Sequence, residues 1–140
     1  MDYKEVMKQI LNEQKEIALA TSVNNKSSVR ILVFCCDTDK EGVLYFTTFP
    51  DSEKVKEFEA NDTVSFTTIP YDDSKHVRVY EGKVIKSDYS VYDLAPQFCE
   101  KKAEYAGMIE EAGDVLVVYE VHFSEVLVAA SYTESALVSL

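Results

Sequence analysis

Three runs of β-forming residues follow one another between positions 16 and 49, separated only by turn-length polar segments. Strands so close together pair as an antiparallel meander, because a parallel crossover needs about a dozen residues or more. Glu16 to Val23 is the first run, and Ser28 to Cys36, rich in β-branched and aromatic residues, is the second. Asn24-Asn25-Lys26 between them is a turn, since Asn adopts left-handed backbone angles at little cost. Asp37-Thr38-Asp39-Lys40-Glu41-Gly42 is a polar turn into the third run, Val43 to Phe49.

The flanking segments complete the pattern. Tyr3, Val6, Met7, Ile10 and Leu11 recur at three- and four-residue spacing, which predicts an amphipathic helix with one buried stripe. Pro50 stops the third strand, and Asp51 or Ser52 caps a short helix with the stripe Val55, Phe58 and Glu59-Ala60, ended by Asn61. Thr63 to Ile69 reads as a strand, Pro70 to Ser74 as a loop, and Val77 to Lys86 as a long strand with a bend or bulge at Gly82. Ser90 to Tyr105 reads as mostly helical, with Leu94, Ala95, Phe98 and Cys99 on one side and Pro96 in the first turn of its second part. Val115 to Phe123 and Val126 to Ala130 are the last two strands. About seven strands and three helices without βαβ alternation predict a mainly β, antiparallel barrel with a few helices, in one domain spanning 1–140.

Charge narrows the partners. With 14 basic and 25 acidic residues the net charge is −11, which repels a phosphate backbone unless a local basic patch intervenes. The nearest candidate, Lys101-Lys102, sits among Glu100 and Glu104, so no nucleic-acid partner is expected. No apolar run approaches the ~20 residues that span a bilayer. Met1-Asp2-Tyr3-Lys4-Glu5 does not open a secretion signal. A cytoplasmic protein without a membrane partner is the expectation. Cys35 and Cys36 are adjacent and point to opposite faces of a strand, so they do not bridge each other. With Cys99 they read as small apolar residues in a reduced compartment, and the two histidines assemble no zinc set.

Chemistry concentrates between Ala20 and Ile69. Arg30 interrupts a strand otherwise built of Val29, Ile31, Leu32 and Val33, and must reach the rim or meet an anion. Phe46-Thr47-Thr48 ends the next strand, and Ser52 and Lys54 open a helix whose N-terminal N–H groups favour an anion. Taken singly, Arg30 is a snorkelling surface residue, Ser52 a helix cap and Lys54 a solvated side chain. If Arg30 faces the corner where the helix begins, the three together make a phosphate site. His122 alternates with apolar residues and reads first as a satisfied structural histidine. The pairs Glu110-Glu111 and Asp72-Asp73 read as solvated.

The order Ala20-Thr21-Ser22, Val29-Arg30-Ile31, Leu44-Tyr45-Phe46-Thr47-Thr48, Asp51-Ser52-Glu53-Lys54-Val55, Asn61, Val64 and His76-Val77-Arg78-Val79-Tyr80-Glu81-Gly82 resembles the pyridoxamine 5′-phosphate oxidase-like, FMN-binding split-barrel family. The resemblance is strong over about residues 10 to 90 and rests beyond them on element order. It implies a split antiparallel β-barrel that binds FMN between two copies of the chain. Carried onto this sequence, Arg30 and Lys54 hold the FMN phosphate with Ser52. Backbone groups of Ile31, Leu32 and Val33, together with Thr47 and Thr48, line the isoalloxazine and the ribityl chain. His76 stands where the family often has a Gln that contacts the flavin from the partner subunit.

Three departures qualify what the resemblance implies. The family's usual Ser-Arg-Lys is Ser52-Glu53-Lys54 here, so a carboxylate replaces one phosphate cation. Phe34, Cys35 and Cys36 stand where a second basic residue is expected after Arg30. The chain has no Trp, which removes the C-terminal Trp and Arg pattern of true pyridoxamine phosphate oxidases, and with it that particular activity. The expectation is a homodimeric FMN oxidoreductase acting on an unidentified small molecule. The alternative is a non-catalytic flavin- or haem-binding module or sensor of the same fold.

Overall fold

Asn24 and Asn25 take left-handed φ angles of 52° and 63°, and the turn they make folds the first hairpin as the sequence predicts. The computed structural model describes residues 1–37 and 39–140; of the predicted turn at 37–42, Thr38 lies outside the described residues. The elements are α1 (Tyr3–Glu13), β1 (Glu16–Val23), β2 (Lys26–Val33), β3 (Cys35–Cys36), β4 (Val43–Thr48), α2 (Glu53–Ala60) and β5 (Thr63–Thr68). They continue with β6 (His76–Lys86), α3 (Ala95–Lys101), α4 (Tyr105–Ala112), β7 (Val117–His122), β8 (Glu125–Ala129) and β9 (Ser135–Ser139).

Strand order is β2-β1-β5-β6-β7-β4-β3, with β8 on β6 and β9 on β8, and each pairing is antiparallel. β2 and β3 stand at opposite ends of that order, yet only Phe34 separates them in the chain. The sheet therefore curls until its ends meet, and residues 26–36 leave β1 and join β4 at Phe34. This is a split barrel. The sequence predicts one strand over Ser28 to Cys36; the structure breaks it at Phe34, whose N–H donates to the Lys15 carbonyl at 3.2 Å and whose ring is fully buried. A change of neighbouring strand, rather than any turn residue, makes the break.

Strand alternation sorts the side chains into two cores. Leu44 and Phe46 face the barrel interior with Ile17, Leu19, Phe34 and Val79. Tyr45 faces outward into a second cluster with Phe98, Tyr105 and Val118, roofed by α3 and α4. Cys35 belongs to the second core and Cys36 packs against the first, as opposite faces require. The stripe of α1 is as predicted, with Met7, Ile10 and Leu11 buried. α2 buries Val55 and Phe58, and the Phe58 ring meets Phe46 edge-on at 5.9 Å between centroids.

The register of β5 on β6 shifts between Val64 and Phe66, so the expected bulge lies just before Gly82. The predicted helix over Ser90 to Tyr105 is instead turns, then α3 with Pro96 in its first turn, then a separate α4. Lys102 is extended there (φ −143°, ψ 118°), and the preceding Lys101 reaches away to the carbonyls of Leu11 and Gln14 at 2.5 and 2.6 Å. β9, a short alternation of Ser135 to Ser139, adds a strand beyond the predicted last one. Among the described residues no helix is long and apolar enough to cross a membrane.

Candidate functional site

Arg30 stands opposite Leu19 in the β1–β2 register, on the face of β2 that turns toward the interior. Its neighbours Val29 and Ile31 turn outward and are 68% and 54% exposed. The guanidinium does not snorkel into solvent. Nη1 donates to Thr21 Oγ1 at 3.0 Å and to the Leu19 carbonyl at 3.3 Å, and Nη2 donates to Glu57 Oε1 at 2.6 Å. Thr21 donates to the same carboxylate oxygen at 2.9 Å. The anion that an apolar strand with an inward cation demands is thus supplied by α2. Burial pushes the Glu57 carboxyl up, but the Thr21 hydrogen bond and the Arg30 charge outweigh it and hold the group below its usual value.

Lys54 shares this corner. Burial lowers its ammonium below the ordinary lysine range, and the charge of Arg30 lowers it further, with Glu57 partly offsetting both. Lys54 and Glu57 are three residues apart on one helix face, and the Glu57 carboxylate is paired with Arg30. Ser52 occupies the N-cap position of α2 with extended backbone angles (φ −69°, ψ 155°), yet its hydroxyl makes no capping bond. It meets the Thr48 hydroxyl at 3.0 Å instead. Ser52 and Thr48 thus lie at the start of α2, where β4 ends, and Arg30 meets the same helix further along, at Glu57.

The other predicted residues are distributed differently. Thr47 points to the opposite side of β4 from Thr48, where its hydroxyl is hydrogen-bonded to that of Tyr105 under the second core. Leu32 packs on the barrel core and Val33 on the second cluster, so β2 offers its backbone rather than a shared side-chain wall. β2 ends the strand order, and one of its edges has no strand partner among the described residues. His76 is not in this corner of the same chain. It begins β6 opposite Ala129, on the outer face of the sheet, and its Nδ1 lies 2.7 Å from the Ser74 carbonyl.

The donor set suits a phosphate monoester. Lys54, the Ser52 and Thr48 hydroxyls, a helix N-terminus and an open strand edge stand there, with Arg30 already paired to Glu57 and the exposed Glu53 in the first turn. Two surface clefts, of 660 and 460 Å³, lie elsewhere, one along Val43, Tyr80 and His122 and the other between α1, β3 and α3. His122 lines the first cleft, and its Nε2 lies 2.7 Å from Glu120 Oε1. Sequence reasoning missed Glu57 and gave Thr21 no role. Glu57 lies three residues after Lys54, but a helical glutamate reads as solvated until its partner on β2 is known.

A family model described as Pyridoxamine 5'-phosphate oxidase-like matches residues 10–134. No curated protein matches the sequence. Among solved structures, General Stress Protein 26 from Bacillus anthracis str. Sterne superposes with a TM-score of 0.76 at 19% identity, covering 100% of both chains. A heme binding protein from Mycobacterium smegmatis gives 0.79 at 11% identity, covering 99% of this chain but 58% of that longer one. A FAD-binding protein from Mesorhizobium loti gives 0.60 at 15% identity, covering 86% of this chain and 88% of that one. At such identities the likeness is one of fold.

Proposed function

The chain belongs to the pyridoxamine 5′-phosphate oxidase-like family, and from that premise we propose that it is an FMN-binding flavoprotein, an oxidoreductase acting on a small molecule at a dimer-interface flavin. What supports the reading is the start of α2, where Ser52 and Lys54 follow Thr48 and the charge of Arg30 reaches Lys54. Arg30 and Lys54 hold the phosphate by charge, and the Ser52 hydroxyl, free of any capping bond, donates to it. The unpaired edge of β2 at Ile31, Leu32 and Val33 offers backbone N–H and C=O groups to the polar edge of the ring system. Thr48 borders the ribityl chain, whereas Thr47 acts through β4's other face, fixed by Tyr105. Bound FMN supplies hydride-transfer chemistry, so the chain's task is to bind, orient and exclude water.

A second copy completes the site. On the outer sheet face the register brings Val29 and Ile31 beside the small residues Ala18 and Ala20, and these beside Ser65 and Thr67. Val29, Ile31, Tyr80 and Leu137, 68%, 54%, 57% and 56% exposed, give this face an apolar character that monomers rarely leave uncovered. A symmetric dimer through it brings the partner's outer face, with His76, toward the flavin. The single domain, 1–140, then acts in pairs.

The Arg30–Glu57 pair favours a second reading, a non-catalytic flavin- or haem-binding module, because it withdraws part of the phosphate site's charge. Anaerobic mixing of the FMN-loaded protein with NADH or NADPH separates the two. Bleaching of the visible flavin band supports the oxidoreductase. A flavin that neither donor reduces, in a protein that retains it, supports the binding module.

A further inference from the structure

The Arg30 guanidinium has five N–H donors, and three are committed within the chain, to Leu19, Thr21 and Glu57. The strongest of these commitments is to a carboxylate, and only about a fifth of either side chain is exposed, at 22% for Arg30 and 23% for Glu57. A carboxylate is chemically close to a phosphate oxygen pair as an acceptor for guanidinium. Glu57 therefore occupies, from inside the fold, the kind of contact that a phosphate ligand would make with Arg30. Thr21 reinforces it by donating to the same oxygen, which keeps the carboxylate charged and fixed in place.

We propose that Glu57 is a built-in rival of the flavin phosphate for Arg30, which sets the phosphate affinity of the corner low enough for FMN to be an exchangeable ligand. The inference rests on the flavin reading and adds to it a residue that limits affinity. Two features of the chain act in the same direction. Glu53 adds an exposed carboxylate to the first turn of α2, and no cation follows Arg30 within its strand to restore the balance. A phosphate monoester carries nearly two negative charges at neutral pH, so a fixed carboxylate beside one of its two cations repels it directly. Riboflavin, which lacks the phosphate, escapes that repulsion.

The experiment is a pair of fluorescence-quenching titrations, with FMN and with riboflavin, on the wild type, Glu57→Gln, Glu57→Asp, Glu59→Gln and Arg30→Ala. Glu57→Gln keeps the acceptor oxygen for Arg30 and Thr21 but removes the charge; it is expected to bind FMN tighter by on the order of tenfold, with riboflavin unchanged. Glu59→Gln makes the same change of net charge from an exposed position on the same helix and is expected to alter FMN affinity by less than about twofold. Should Glu57→Gln not fold by its melting curve, Glu57→Asp decides, since it keeps the charge while drawing it back from Arg30. It is expected to tighten FMN binding. FMN binding by the variants no tighter than wild type, with Arg30→Ala still abolishing it, overturns the inference and leaves the flavin reading standing. FMN binding by none of the proteins overturns both.

Discussion

Arg30 on the terminal strand β2 and Glu57 on helix α2 meet at 2.6 Å, and the contact ties the end of the barrel to the helix that covers it. It explains how a strand of Val29, Ile31, Leu32 and Val33 tolerates a cation on its inner side. An unpaired buried charge is costly, and hydrogen bonds with an opposite charge offset much of that cost. The same contact fixes where the guanidinium lies relative to Lys54 and the start of α2.

The pair makes stability depend on acid. Glu57 titrates below its ordinary value of 4.5, so the folded state binds its proton less readily than the unfolded chain does. Its contribution is complete above that value and is lost as pH falls through the lower folded value. Urea unfolding at about pH 6 and pH 3 should show the wild type losing about 1 kcal/mol more than Glu57→Gln, a modest figure because both side chains remain partly solvated. Equal losses would mean that the pair contributes nothing measurable.

Phe34 marks the split. Its ring is fully buried at the point where the chain exchanges β1 for β4. Phe34→Ala should cost about 3–5 kcal/mol, a fall in Tm on the order of 10 °C by calorimetry. A loss below about 1 kcal/mol would mean that the barrel closes without it.

Lys101 is a structural residue in an acidic chain. Its ammonium donates to the Leu11 and Gln14 carbonyls at the end of α1 and lies 4.5 Å from the centre of the Phe34 ring. Lys101→Met keeps most of the apolar stem but leaves those carbonyls without their donor, at a cost of about 1–3 kcal/mol in chemical unfolding. An unchanged unfolding midpoint would remove Lys101 from the set of residues that hold α1 to the barrel.

The outer face predicts the oligomer. Ile31→Asp introduces a charge at a position 54% exposed in one chain, so the monomer's own fold should tolerate it. Light scattering should give two chains per particle for the wild type and one for the variant, with FMN lost in parallel. A monomeric wild type would remove half of the proposed site.

Much of the fold is legible in the sequence because local signals and packing agree. The apolar spacing of α1 and the bounds of β1, Glu16 to Val23, follow directly from periodicity. The break at Phe34 is not legible, because it depends on the Lys15 carbonyl and on a change of neighbouring strand. α4 buries only Tyr105 and Ile109, too sparse a stripe to announce a helix separate from α3. In the candidate site, the order of Arg30, Thr48, Ser52 and Lys54 carries the signal; the fold joins Thr48 to Ser52 and ties Arg30 to the helix that Ser52 and Lys54 open. Glu57 stays hidden because its meaning depends on a partner 27 residues away on another element.

The most direct test is equilibrium dialysis of the purified protein against FMN, read by the visible absorbance of the flavin. The account predicts an excess of flavin absorbance on the protein side that is lost in both Arg30→Ala and Lys54→Ala. A wild type with no measurable FMN affinity, or a flavin held equally well by both variants, would contradict it.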